Sequence, residues 1–226
     1  MREVVLDTET TGLDPRAGHR IVEIGCVELI NHVATMETFH AYVNPERDMP
    51  EEAYRVHGLS EAFLGEHSVF SDIVDSFLTF VGDSPLVIHN AEFDMGFLNA
   101  ELARLKLGTL DPSRSIDTVR MARKMFPGAP ANLDALCKRF HIDNSGRELH
   151  GALLDARLLA DVYLELTGGR QQGLELAGTT GHETGLASHP TSVRPPRLHA
   201  PTPDEEAAHR QFLEKLNEPV WLATDP

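Results

Sequence analysis

Residues 3–12 read EVVLDTETTG, an apolar run that leads into two acids and ends on a glycine. The run from Glu3 to Asp7 predicts a short buried strand. Asp7 and Glu9 are two residues apart, so the pleat of a strand directs both carboxylates to the same side. Two neighbouring acids are costly unless a cation joins them, so this strand end indicates a ligand site. A polar strand end without a ligand is the plainer alternative.

The pattern outward from this strand predicts an α/β fold. Two β-rich stretches, 20–30 and 33–43, are separated by Asn31-His32 and predict an antiparallel meander with the first strand. Helical and strand patterns then alternate, which is typical of a mixed sheet flanked by helices. The predicted helices cover residues 69–81, 90–106, 118–124, 133–139 and 152–167, and the predicted short strands cover residues 86–88 and 115–117.

The composition predicts one sizeable core with a short appendage, because the chain has 226 residues of which 41% are hydrophobic. Its net charge of -15 argues against broad wrapping of a polyanion. The sequence has no run of 18 apolar residues and no targeting pattern, so we expect a cytoplasmic protein with no membrane partner. Cys26 and Cys137 lie in apolar stretches without CxxC spacing, which predicts buried free thiols.

The chain contains three segments that differ in composition and in hydrophobic pattern. Residues 1–168 carry the alternating pattern and predict one folded domain. Residues 169–200 are rich in glycine and then in proline, with few apolar anchors, so we expect a flexible linker. Residues 201–226 open with a capping box at Thr202–Glu205 and predict a short helix that docks on a partner. The apolar residues of that segment are Ala208, Phe212 and Leu216 on one helix face, then Val220, Trp221 and Leu222.

A third acid, Asp94, lies one turn into the predicted helix that Asn90 would cap. It precedes Phe97 and Leu98 by three and four residues, which directs it toward the packed side of the helix. Glu101 shares that side. The position alone therefore leaves open a first-turn acid that the helix dipole favours.

A fourth acid, Asp155, lies on the apolar face of its predicted helix. A buried carboxylate needs either a hydrogen-bond network or a metal ion, so a satisfied structural aspartate is the alternative to a ligand. His150, five residues earlier, lies in a predicted loop from which it could overhang the same site. The apolar residues that share the face of Asp155 are Leu158, Leu159, Val162 and Leu166.

Four acids and one histidine are suited to the hydrolysis of a phosphodiester. Hard oxygen ligands without cysteine or clustered histidine favour Mg²⁺ or Mn²⁺ over zinc. Two such ions can clamp the attacking and leaving oxygens of an in-line phosphoryl displacement. A histidine that titrates near neutrality can deprotonate the attacking water.

Three segments, residues 7–12 (DTETTG), 89–94 (HNAEFD) and 150–155 (HGALLD), resemble in order and separation the three motifs of the DEDDh exonuclease family. The sister branch of that family has a tyrosine four residues before the last aspartate, where this chain has Gly151. The resemblance is therefore to the histidine branch, and it implies an RNase H-like fold and a 3′-to-5′ exonuclease. It also implies that two divalent ions are held by Asp7, Glu9, Asp94 and Asp155, with His150 as the general base.

The resemblance covers residues 2–168 and includes the segments RKMFPG (123–128) and LDALC (133–137). These are similar to segments in the proofreading subunits of bacterial replicative polymerases, which implies a DNA 3′ end as the substrate. Without the resemblance, Glu52 and His57 would be interpreted as a surface-loop acid and a turn histidine. The substrate contacts that it implies are Thr8, Glu9, Thr10, Glu52, His57 and Asn90.

The resemblance also implies partners. In those proofreading subunits the C-terminal tail binds the alpha subunit of DNA polymerase III, so we expect the same role for residues 201–226. Gln171, Leu174 and Leu176 are similar to a weak sliding-clamp motif, although the usual aromatic at its last position is absent and ordinary linker is the alternative. A polymerase and a clamp that hold the duplex would explain how an acidic nuclease works on DNA.

Two other functions remain open at the level of sequence. One is an enzyme of the same fold that trims RNA 3′ ends, since the motifs are shared; the predicted linker and docking helix argue against it. The other is a non-catalytic subunit that stabilises a polymerase complex, against which the presence of all five active-site residues argues.

Overall fold

The structure is a computed structural model that describes residues 1–146, 149–169 and 200–216. The chain divides into two units, Met1–Glu175 and Leu176–Pro226. Most of the predicted linker lies outside the described residues, as do the proposed clamp residues and Trp221. The domain boundaries at 168 and 200 therefore stay a prediction.

Five strands form one mixed sheet at the centre of the first unit. They are β1 (Arg2–Thr10), β2 (Ile21–Ile30), β3 (Val33–Tyr42), β4 (Leu86–Ile88) and β5 (Ser115–Asp117). Their order is β3-β2-β1-β4-β5, with β1 to β3 antiparallel and with β1, β4 and β5 parallel. The predicted meander and the two short parallel strands are confirmed.

In the described part of the first unit, seven α-helices cover this sheet or its ends. The helices predicted from periodicity are confirmed as α3 to α7, within a few residues at their ends. Two short helices, α1 and α2, were not predicted, because only one residue of each is buried and no apolar stripe marks them. The helices are α1 (Glu51–His57), α2 (Glu61–Gly65), α3 (Phe70–Val81), α4 (Ala91–Arg104), α5 (Thr118–Met125), α6 (Leu133–Phe140) and α7 (Ala152–Leu166).

Alternate residues of β1 pack on opposite faces of the sheet. Val4 and Leu6 belong to the core formed with α3 and α4, whereas Val5 belongs to the core formed with α5, α6 and α7. Asp7 and Glu9 continue the series of Val5, so their carboxylates point to the face that α7 covers. The period of two thus decides which helix meets the acids.

The distal half of α7 is fixed to the start of β1 through polar groups. The Tyr163 hydroxyl donates a hydrogen bond of 2.7 Å to the carboxylate of Glu3, whose side chain is fully buried. His32 Nδ1 lies 2.8 Å from the second oxygen of that carboxylate. Burial raises the pKa of Tyr163, and the neighbouring Glu3 raises it further. Cys26 and Cys137 are both buried and form no disulfide, as predicted.

The second unit contains α8 (Pro203–Leu213) in its described part. The predicted capping box is confirmed: Thr202 accepts from the backbone of Glu205, and the Glu205 carboxylate accepts from the backbone of Thr202. The helix ends at Leu213, so Leu216 lies beyond it and the predicted apolar face is shorter than expected. No helix in the described part of the chain is long and apolar enough to cross a membrane.

Candidate active site

Asp7 and Glu9 lie at the carboxyl end of β1, beyond Leu6, the last residue that pairs with β4. Asp7 is opposite Gly25 of β2, and Glu9 is opposite Glu23. The register shifts between Glu9 and Thr10, where β2 carries one extra residue, Val22. Glu9 is buried and Asp7 is partly buried.

Gly25 allows the backbone of α7 to approach the sheet beside these acids. A β-carbon added at Gly25 would lie 2.3 Å from the carbonyl carbon of Ala152 and 2.3 Å from the amide nitrogen of Leu153. Real side chains essentially never make contacts this short, so any larger residue would displace the start of α7. Asp7 and Gly25 are directly paired and share one face of the sheet, so the first turn of α7 is held next to Asp7.

Asp155 lies one turn into α7 and is buried, with only 3% of its surface exposed. His150 Nδ1 is 3.3 Å from Asp155 Oδ2, while the His150 side chain is about half exposed at 48%. Among the described residues, Glu9, His150 and Asp155 offer ligand atoms that all lie within 4.8 Å of one another. Such a group of two carboxylates and one imidazole can hold a divalent metal ion.

Asp94 reaches the same strand end from α4 on the other face of the sheet. Its Oδ1 accepts a hydrogen bond of 3.0 Å from the backbone amide of Thr8 and one of 2.7 Å from the Thr8 hydroxyl. Burial raises the pKa of Asp94 to about 7, although the bonds from Thr8 oppose that rise. The carboxylate is therefore easily protonated until a cation stabilises its charged form.

One cavity of about 250 Å³, hereafter the carboxylate cavity, gathers these groups. Asp7, Glu9, Asp94, His150 and Asp155 all line it, although they come from one strand, two helices and a loop. Its remaining lining residues are Thr8, His89, Asn90, Phe93, Asn132, Leu133 and Asp134.

Asn90 occupies the position before α4 but does not cap it with its side chain. Its backbone is left-handed, with φ 68° and ψ 58°, whereas a capping residue is normally extended. The backbone N–H of Asn90 donates to Asp117 Oδ1 at 3.3 Å. The predicted cap is therefore wrong, and Asn90 is placed at the rim of the carboxylate cavity.

A second cavity of about 500 Å³, hereafter the α1 cavity, adjoins the first and shares Thr8, Glu9 and Phe93 with it. Glu52 and His57 of α1 line it, so neither is the loop or turn residue of the alternative interpretation. The other lining residues are Thr10, Thr11, Gly12, Leu13, Asp14, Ala17, His19, Pro50, Ala53 and Val56.

His57 is 5% exposed, and burial lowers the pKa of its imidazole. Its Nδ1 accepts a hydrogen bond of 3.0 Å from the Leu59 amide, which assigns the proton of the neutral ring to Nε2. The backbone of Thr10 raises the pKa of the ring and so opposes the effect of burial. Within the described part of the chain, His57 Nε2 is buried without a hydrogen-bond partner, and the residue lines the α1 cavity.

Phe93 is a site residue that the sequence analysis did not select. It lines both cavities and a third one beside Leu13, so it stands between the carboxylates and the open surface. The available signal was an aromatic residue directly before Asp94, on a helix position that is only partly buried. Leu13 is the second such residue, because it lines the α1 cavity while 84% of its surface is exposed.

The chain matches the model of a protein family described as "Exonuclease" over residues 4–163. It is 53% identical over 222 residues to the DNA polymerase III subunit epsilon of Rickettsia felis, with 96% of this chain and 97% of that protein covered. It is 43% identical over 224 residues to the subunit of the same name from Escherichia coli, with 94% and 92% covered.

Two solved structures agree in fold. Exonuclease X in complex with 5′ overhanging duplex DNA has a TM-score of 0.58 and 26% identity, over 73% of this chain and 90% of the other. The nuclease domain of 3′hExo, a DEDDh family member bound to rAMP, has a TM-score of 0.62 and 20% identity, over the same shares. The family match, the near full-length relatives and the RNase H-like sheet agree: the chain belongs to the exonuclease family, among the DNA polymerase III epsilon subunits, and is a metal-dependent 3′-to-5′ proofreading exonuclease.

Proposed function

We propose that this chain hydrolyses the 3′-terminal phosphodiester of DNA with two divalent ions, Mg²⁺ or Mn²⁺, and releases nucleoside monophosphates. The observation that carries the proposal is that Asp7, Glu9, Asp94, Asp155 and His150 converge on the carboxylate cavity. Four oxygen-donor side chains and no cysteine make a ligand set that fits these ions.

The four acids would hold the ions, which supply Lewis-acid stabilisation of the charge that develops on the phosphate oxygens. Glu9 and Asp155 are close enough to share one cation with each other. The Thr8 hydroxyl and amide fix Oδ1 of Asp94, which leaves its second oxygen to face the cavity. The protein thus pre-arranges negative charge where a cation is needed.

His150 is the group in this cavity best suited to accept a proton from water. Its ring is half exposed, so water reaches it, and Asp155 orients it through Nδ1. A new bond forms between the water oxygen and phosphorus, and the bond from phosphorus to the 3′ oxygen of the preceding nucleotide breaks. The proton from water passes to His150.

The terminal nucleotide is best accommodated in the α1 cavity, which opens directly beside Glu9. Its volume of about 500 Å³ suits a nucleoside, and His57 and Glu52 offer a donor and an acceptor in its wall. Thr8 lines both cavities, Thr10 lines the α1 cavity, and Asn90 lines the carboxylate cavity. This arrangement supports the substrate contacts expected for these residues.

The proposed partners are a DNA 3′ end, single-stranded or frayed, and the alpha subunit of DNA polymerase III. Residues 201–226 would bind that subunit, because α8 presents Phe212 with 57% of its surface exposed. A sliding-clamp contact through Gln171, Leu174 and Leu176 is proposed on sequence alone, as is a location in the bacterial cytoplasm.

The test is the degradation of 5′-labelled single-stranded DNA and of RNA of the same sequence, with Mg²⁺, with Mn²⁺ and with chelator. We expect a ladder that shortens from the 3′ end of DNA and that is lost with chelator and in Asp7→Ala. Asp161→Ala is the control, because Asp161 is exposed on α7. Preference for RNA would favour the RNA-trimming function, and cleavage of neither would favour a polymerase-stabilising subunit.

A further inference from the structure

The residues that lead into α7 are attached to the last turn of α1. The backbone amide of His150 donates a hydrogen bond of 3.1 Å to the carbonyl of Val56. The side chain of Leu149 lies over Gly58, where an added β-carbon would be 2.6 Å from Leu149 Cδ1. His150 is therefore held from both sides, by Asp155 of α7 and by the end of α1.

The same turn of α1 forms a wall of the α1 cavity. Val56 and His57 are consecutive; the carbonyl of Val56 holds His150, while His57 is buried at the cavity. One short helix thus contacts both the proposed nucleotide pocket and the proposed general base.

Helix α1 is lightly anchored to the rest of the domain. Of its seven residues only His57 is buried, and no side chain caps its N-terminus. A helix of two turns has little stability of its own, so its position depends on the contacts that its few inward residues make. A nucleotide against Glu52 and His57 would supply such contacts, and a ligand shifts a conformation only through contacts that favour it.

We propose that α1 couples occupation of the nucleotide pocket to the placement of His150, with Leu149 and Val56 as positioning residues. The coupling rests on the proposed function, because it needs the α1 cavity to hold the terminal nucleotide. A nucleotide that enters this cavity fixes α1, and the fixed carbonyl of Val56 and surface of Gly58 then fix His150. When the terminal nucleotide stays paired in a duplex, it does not enter the cavity, and the general base His150 is then not held in position.

The first experiment compares two chromogenic phosphodiesters with Mn²⁺, the p-nitrophenyl ester of thymidine 5′-monophosphate and bis(p-nitrophenyl) phosphate. Only the first has a nucleoside for the α1 cavity. In Leu149→Ala we expect kcat on the nucleoside ester to fall about tenfold, because the general base His150 is misplaced. KM should stay within about twofold of wild type, because the nucleotide pocket is intact. The rate on the nucleoside-free ester should stay within about twofold of wild type.

Leu107→Ala is the matched control, since Leu107 is 39% exposed on the turn after α4, outside both cavities. Gly58→Ala is unsuitable, because φ at Gly58 is +72° and a side chain would strain the turn itself. Equal losses on both esters, or no loss on either, would overturn the coupling. If wild type hydrolyses neither ester with Mn²⁺, the proposed function itself fails.

A second measurement follows the coupling directly, through exchange of the His150 amide with deuterated solvent. Thymidine 5′-monophosphate with Mg²⁺ should slow exchange of this amide in wild type, because α1 becomes fixed and the bond to Val56 opens less often. The protection should be smaller in Leu149→Ala and unchanged in Leu107→Ala. Exchange that is indifferent to the nucleotide in wild type, while the nucleotide binds, would overturn the proposal.

Discussion

The contact between β1 and α7 has two ends with opposite chemistry. At one end the buried Glu3 meets a donor, the Tyr163 hydroxyl, and lies beside His32. At the other end Glu9 meets a second acid, Asp155, within 4.8 Å. The same strand face supplies an acid at each end, and the same helix supplies the group that meets it.

The difference separates stability from function along one helix. A buried carboxylate with a hydrogen-bond donor has most of its desolvation cost met inside the chain. Two buried carboxylates side by side repel each other, and a bound cation would offset that cost. The Glu3 end therefore holds α7 in place, and we propose that a metal ion completes the Asp155 end.

The largest effect is expected from removing Asp155, a proposed metal ligand; we call its end of the contact between β1 and α7 the metal end. Asp155→Ala should lower turnover on single-stranded DNA by ~10³-fold or more, since a group that stabilises transition-state charge is lost. The fold should remain intact, as judged by circular dichroism and thermal unfolding without metal. Asp161→Ala on the same helix should behave as wild type, and retained activity in Asp155→Ala would refute the assignment.

A second variant is expected to shift Asp155 without removing any proposed metal ligand. Gly25→Ala should lower kcat on the order of 10²-fold, because its β-carbon displaces the backbone of Ala152 and shifts Asp155 from Asp7. Stabilisation of the protein by Mn²⁺ should weaken in parallel. Gly96→Ala is the control, as a side chain there meets nothing within 4 Å. An active Gly25→Ala protein would show that α7 tolerates the shift.

The opposite end should give the opposite pattern. Tyr163→Phe removes the donor to Glu3 and should lower the free energy of unfolding by about 1–3 kcal/mol, because a buried acceptor is left unsatisfied. At low temperature kcat should stay within about twofold of wild type. Denaturant unfolding and turnover are the two measurements, and a large loss of kcat with unchanged stability would contradict the separation.

The smallest effect concerns the pH dependence of the metal end. The pKa of Asp94 rises from 3.8 to about 7 on folding, so the folded metal-free protein binds this proton more tightly than the unfolded chain. Its stability should therefore fall as the pH rises from about 4 to about 7, and added Mg²⁺ should stabilise it more at pH 8 than at pH 6. Thermal unfolding of wild type and Asp94→Asn checks this, and the slope should flatten in the variant.

Local patterns made much of this predictable from the sequence. The acids of β1 and the helices α3 to α7 follow periods of two and 3.6 that any reader of the chain can count. The approach of α7 to Gly25 joins residues more than a hundred positions apart and leaves no local signal. Helix α1 escaped for another reason: with His57 as its one buried residue, it has no stripe to detect. The prediction that Asn90 caps α4 is wrong because the backbone of Asn90 is left-handed.

One consequence of the Tyr163 anchor would be seen in living cells. Tyr163 follows Asp155 by eight residues, which is about 12 Å along a helix axis, so it lies far from any bound strand. Its loss would leave the chemistry intact in a cold cell and loosen α7 as the temperature rises. We therefore expect a heat-dependent mutator phenotype from a residue that touches neither metal nor DNA, with replication errors accumulating before replication itself slows.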